Sequence, residues 1–191
     1  MIERWLEDVV ATPGLTALSL DEAREVLLED SLRAVEVVRR FPGPIVDVGS
    51  GGGAPGIPLA HALPERDVTL LEATRRKCDF LELWARELPN ARVVCGRAEE
   101  QPLEAWGVAV AKALAPPPVA AEWCLPLVGS GGAAVIFVGE TAQADRVERV
   151  AELLNARLEE SPPGLLVLRK LGPTPEGFPR RPGVARKRPL A

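Results

Sequence analysis

Apolar residues in this chain fall into short, nearly unbroken runs and into longer stretches where they recur every three or four positions. Runs at 44–48, 67–72, 91–95, 108–113, 133–138 and 165–168 have the length and branched content of buried strands. The last is expected to close the sheet. Between them, helical spacing predicts helices over 56–62, 74–88 (Phe80, Leu81 and Trp84 facing the core), 118–127 and 142–158. Ahead of the first strand, 2–10 reads as a short helix. Ser19-Leu20-Asp21-Glu22 is a capping box that starts a longer one running to about Arg39, stopped by Pro42 and Gly43. Strands alternating with helices predict an α/β fold with a doubly wound, mostly parallel sheet. Three parts are expected: a helical extension at 1–41, the sheet domain at 42–171 and a C-terminal tail at 172–191.

The first strand ends in a carboxylate and runs into a glycine loop, Asp47-Val48-Gly49-Ser50-Gly51-Gly52-Gly53-Ala54-Pro55-Gly56. Ligands of open α/β sheets bind at this edge. Gly49, Gly51 and Gly53 remove side chains where the backbone turns and approaches a ligand. Gly49-x-Gly51-x-x-Ala54 also fits the dinucleotide fingerprint, a weak match alone. The D-x-G-x-G-x-G register and Pro55 favour S-adenosylmethionine, with Asp47 near its amino group. An NAD(P)-dependent oxidoreductase is the rival.

Other candidates follow the strand ends. Glu72, 23 positions beyond Gly49, stands where an acid accepts the ribose hydroxyls of a nucleoside. Thr74 is the expected N-cap of the next helix. Ala98 and Glu99 follow the third strand, where an adenine would lie. Lys112 ends a very apolar segment, where a charge is costly unless paired. His61 is the lone histidine and reads as a surface or packing residue, so metal clusters and Ser-His or Cys-His pairs have almost no material. No catalytic acid or base is singled out, which suits methyl transfer to an atom with a free lone pair.

Charge adds one contrast. The net charge is -4, yet residues 169–191 hold seven basic residues against Glu176, leaving -10 on the rest. Arg180, Arg181, Arg186, Lys187 and Arg188 are therefore expected to meet phosphates of an RNA. Cys78, Cys95 and Cys124 are odd in number and far apart, predicting neither a disulfide nor a zinc site and pointing to a reducing cytoplasm. No membrane-spanning run or signal peptide is expected.

Beyond these readings the chain resembles the glucose-inhibited division protein B family, bacterial 16S ribosomal RNA methyltransferases. Gly14-Leu15-Thr16, Glu29-Asp30-Ser31-Leu32, the loop from Asp47 to Ala60, Leu71-Glu72-Ala73 with Lys77, and Gly96-Arg97-Ala98-Glu99-Glu100 carry it. So do Ala111-Lys112-Ala113 and Phe178-Pro179-Arg180-Arg181-Pro182-Gly183 with Lys187. The resemblance implies a class I, Rossmann-like methyltransferase fold and methylation of guanine N7 in 16S ribosomal RNA, free or in a small-subunit particle; a monomer is expected. It places Gly49, Ala54, Ala98, Glu99 and Lys112 against S-adenosylmethionine, with Glu72, Ala73 and Thr74 on the ribose side. The chain departs from the family at Lys112 (usually arginine), Gly107 (an acid), Val138 (lysine) and Leu27 (histidine). A cofactor-binding relative with a lost or altered methyl acceptor is the alternative.

Overall fold

The computed structural model describes residues 1–139 and 144–191. Seven strands form one sheet in the order β3-β2-β1-β4-β5-β7-β6. They are β1 (Ile45–Val48), β2 (Val68–Glu72), β3 (Ala91–Cys95), β4 (Trp106–Ala111), β5 (Val128–Phe137), β6 (Ala156–Glu159) and β7 (Leu165–Lys170). The first five pair in parallel, and β7 runs antiparallel to both β5 and β6. β1 is buried along its whole length between β2 and β4, as an unbroken apolar run with one acid should be.

Ile45 and Val46 belong to different cores, because successive side chains leave a strand on opposite faces. The first face packs against α1 (Ile2–Ala11), α2 (Leu20–Ala23), α4 (Val35–Arg39), α5 (Gly56–Ala62) and α6 (Arg75–Ala85), with α3 (Asp30–Leu32) lying against α5. The second packs against α7 (Pro117–Cys124) and α8 (Ala144–Leu153). A last short helix, α9 (Val184–Lys187), follows Gly183, whose φ of 79° is open to glycine.

Four expectations are corrected. The helix predicted over 19–39 starts at its capping box, with Ser19 N donating to Glu22 at 2.8 Å, but breaks into α2, a π-helical turn at Arg24–Glu29, α3 and α4. The helix predicted to Leu158 ends at Leu153, because Asn155 takes a left-handed conformation (φ 53°) that reverses the chain into β6; its first two predicted positions, 142 and 143, lie outside the described residues. β7 is not the edge strand but lies between β5 and β6. Finally, Cys78 and Cys95 form a disulfide, Cα–Cα 5.8 Å. Their separation in sequence misled, since the β2–α6–β3 unit brings the start of α6 beside the end of β3. Cys124 is free and buried.

The N-terminal helices are tied into the sheet domain. Trp5 is fully buried, and its indole N–H donates to the Gly52 carbonyl of the glycine loop at 2.9 Å. Among the described residues no helix is long and apolar enough to cross a membrane.

Candidate active site

Two adjoining cavities open at the C-terminal edge of β1, β2, β3 and β4. The larger, of about 370 Å3, is lined by Glu72, Ala73, Thr74, Ala98, Glu99, Leu114, Trp123 and Arg186 among others. The smaller, of about 240 Å3, lies between the glycine loop, Lys112 and the N-terminal residues Val9, Leu15, Thr16, Val26 and Leu27. Gly49, Lys77 and Ala113 line both. The two thus adjoin at the start of the glycine loop.

Glu72 is the hub of the larger cavity. It is only 7% exposed, and its carboxylate accepts the Gly51 N–H at 3.0 Å and the Thr74 N–H at 2.8 Å. One side chain therefore joins the loop after β1 to the loop after β2. Each carboxylate oxygen can accept a second donor, so hydroxyls in the cavity can still be held. Thr74 is the N-cap residue of α6 but makes no side-chain cap; its backbone serves Glu72.

The glycines divide by task. A Cβ on Gly51 would meet nothing nearer than the Gly49 carbonyl at 3.8 Å, so this residue (φ 57°) faces open space in the smaller cavity. At Gly53 a Cβ would stand 2.4 Å from Ile57 and 3.1 Å from Trp5. Gly53 is thus needed for packing and lines neither cavity. Ala54 lines the smaller one.

Asp47 also lines neither cavity. Fully buried, it accepts the Gly56 N–H at 2.9 Å through Oδ2, capping α5, while Oδ1 has no partner among the described residues. Desolvation pushes its carboxyl up to about 7, the nearby Glu72 adding to this and the Gly56 hydrogen bond opposing it. The native state therefore holds this proton more tightly than the unfolded chain. That stabilisation is complete below about pH 4 and lost as pH rises through 7. Asp47→Asn keeps an oxygen for Gly56 and carries no charge. It is expected to be more stable than the parent at pH 8, by on the order of 4 kcal/mol at most, with the gain gone near pH 4. Urea titrations at the two pH values check this, and a difference independent of pH would contradict it.

Lys112 spans the smaller cavity and is paired, as its apolar setting demands. Its side chain is 10% exposed, its ammonium lies 2.5 Å from Asp30 and 5.0 Å from the Phe137 ring centre, and it donates to the Val26 carbonyl. Burial lowers its pKa, and the Asp30 contact opposes the shift. Asp30 also accepts from Arg33 at 2.7 Å. Lys112 so fastens the end of β4 to the N-terminal extension.

The basic tail is folded against this site. Arg180 makes a two-pronged pair with Glu122 of α7, at 2.5 and 2.6 Å, and donates to the Arg188 carbonyl. Glu122 is 3% exposed in its side chain. The Gly183 N–H donates to Glu99 at 3.0 Å, and Arg186 reaches the larger cavity. Arg181, Arg186, Lys187 and Arg188 are all exposed. Sequence reasoning missed Trp5, Trp123 and Leu114 as parts of the site. Only the i, i+1, i+4 spacing of Trp5, Leu6 and Val9 hinted at an inward face of α1.

A model of the family described as GidB, rRNA small subunit methyltransferase G, matches residues 11–161. The chain belongs to this GidB family. Small-subunit ribosomal RNA methyltransferases G from Rubrobacter xylanophilus and a Synechococcus strain are similar to it. The first is 38% identical over 88% of this chain and 75% of its own, the second 37% over 85% and 72%. Among solved structures, a Thermotoga maritima O-methyltransferase shares the fold with a TM-score of 0.61 at 16% identity, covering 90% of this chain and 73% of its own. A T. thermophilus 16S rRNA N2 methyltransferase bound to AdoMet and guanosine gives 0.56 at 16%, over 78% and 40%. The fold of this GidB member is thus the class I methyltransferase fold expected.

The four positions expected to depart from the family separate in space. A Cβ at Gly107 would stand 1.7 Å from the Pro42 carbonyl, so the entry to β1 leaves no room for a side chain there. Gly107 and Val138 line neither cavity. Leu27 and Lys112 both line the smaller one.

Proposed function

We propose that this chain uses S-adenosylmethionine to methylate guanine N7 of 16S ribosomal RNA, the larger cavity taking the adenosyl part. The observation that carries the choice of cofactor is where the loop's N–H groups point. Gly49 and Ser50 donate to Leu71, Gly51 to Glu72, Gly53 to Ser50 and Gly56 to Asp47. A dinucleotide needs such donors free, at a helix N-terminus, for its pyrophosphate. Here Asp47 already accepts the first N–H of that helix, so this donor is not free for a phosphate. The same arrangement leaves Glu72 beside a cavity of nucleoside size, which fits an adenosyl ligand without phosphates. The NAD(P) reading is thereby disfavoured.

Bound there, S-adenosylmethionine supplies an electrophilic methyl group on a sulfonium. Glu72 holds the ribose hydroxyls, and Ala98 and Glu99 border the base. Gly51 and Ala54, with Lys112 beyond, border the methionine end. Thr16, Leu27 and Lys112 leave room in the smaller cavity for a flat acceptor ring. N7 of guanine carries its own lone pair, so alignment replaces proton abstraction, and Val9, Leu15 and Leu27 give the cavity apolar walls. The exposed Arg181, Lys187 and Arg188 meet phosphates. The chain acts as a monomer in the cytoplasm, a placement that rests on the ribosomal RNA substrate, since the Cys78–Cys95 disulfide withdraws the argument from unpaired cysteines.

An altered acceptor is the second reading, favoured by Leu27 and Lys112 standing inside the acceptor cavity. Heat of binding separates the cofactor classes. S-adenosylhomocysteine is expected to bind and NADH to give no heat; the reverse result would overturn the proposal.

A further inference from the structure

The tail's contribution to the larger cavity is not one that its basic character suggests. Three contacts fix the segment there. Arg180 and Glu122 anchor its start on α7, the Gly183 N–H is held by Glu99, and the Leu190 and Ala191 side chains pack on the second core. Between the last two, α9 carries Arg186 to the rim shared with Ala98, Glu99 and Trp123. Arg186 is exposed, as are its neighbours Lys187 and Arg188 and Arg181, but of these four it alone lines the cavity.

The geometry points to Arg186 as a cofactor-side residue, which closes over the base of an adenosyl ligand while the other basic residues of the tail serve RNA. A guanidinium is planar, weakly hydrated and suited to stacking on a flat ring, whereas a phosphate contact asks only for an exposed positive charge. Arg186 meets the second demand as the others do, but it alone also meets the first, because it lines the cavity beside Ala98, Glu99 and Trp123. Glu99 acts as a positioning residue, because its bond to Gly183 sets where α9 begins. This inference rests on the adenosyl reading of the larger cavity.

The test uses the full chain with S-adenosylhomocysteine and with 5′-methylthioadenosine, which keeps the adenosine and lacks the amino-acid end. Arg186→Ala is expected to weaken both ligands alike, about fivefold to thirtyfold, and to leave the salt slope of 16S RNA binding unchanged. Glu99→Gln, which retains an oxygen for Gly183, is expected to lose much less. If Arg186→Ala binds both ligands as the parent does, and the salt slope falls by roughly 0.7 to 0.9, Arg186 belongs to the RNA face and the inference is overturned. If the parent itself binds neither ligand, the adenosyl reading of the cavity falls and takes the inference with it.

Discussion

Arg180→Ala is expected to destabilise the fold by about 3–5 kcal/mol, because it leaves the Glu122 carboxylate buried without its partner. Glu122 is 3% exposed in its side chain, and Arg180 supplies both hydrogen bonds to it while also holding the Arg188 carbonyl. In a chain of this size that corresponds to a melting temperature lower by roughly 6–20 °C. Arg180→Lys should fall between, since an ammonium keeps the charge and loses the planar fork. RNA binding provides the complementary reading. If Arg180 is occupied by Glu122, the salt dependence measured on the folded variant stays that of the parent, whereas Arg181→Ala or Arg188→Ala each flatten it by roughly 0.7 to 0.9. A variant with parental stability and a flatter slope would place Arg180 on the RNA instead.

The second large effect is expected at Glu72. Its carboxylate accepts one N–H from each of two loops, and glutamine has a single acceptor oxygen to offer them. In Glu72→Gln the amide NH2 would face one of those donors, so one loop must shift from the cavity wall. Affinity for S-adenosylhomocysteine is expected to drop by about 1–3 kcal/mol, through a buried donor left unsatisfied and a weaker grip on the ribose. Titration calorimetry reads this directly. Parental affinity would mean that Glu72 only braces the loops and the ribose lies elsewhere.

What could be read from the sequence follows from how local the cause was. β1, β2 and β4 are short apolar runs whose burial on both faces writes itself into composition, and the glycine loop and Glu72 stand at the ends of β1 and β2 as expected. β6 was hidden because Arg157 and Glu159 continue the polar pattern of the preceding helix, and the reversal depends on one backbone angle at Asn155. The tail read as a solvated polyanion binder because its anchors are distant. Glu122 lies 58 positions from Arg180, and Glu99 lies 84 from Gly183. Asp47 was assigned to the ligand from its place in the motif, yet the helix it caps begins nine residues on, and only the fold shows which donor it meets. The Cys78–Cys95 pair was dismissed on spacing for the same reason.

The central claim, methylation of guanine N7, is tested most directly by incubating the chain with methyl-labelled S-adenosylmethionine and 16S ribosomal RNA, both as naked RNA and as small-subunit particles. The RNA is then treated with borohydride and aniline, which cut at 7-methylguanine. The account predicts that label enters one of the two substrates and that a single new scission appears at a guanine. Label without scission, or no label in either substrate while S-adenosylhomocysteine still binds, would contradict it.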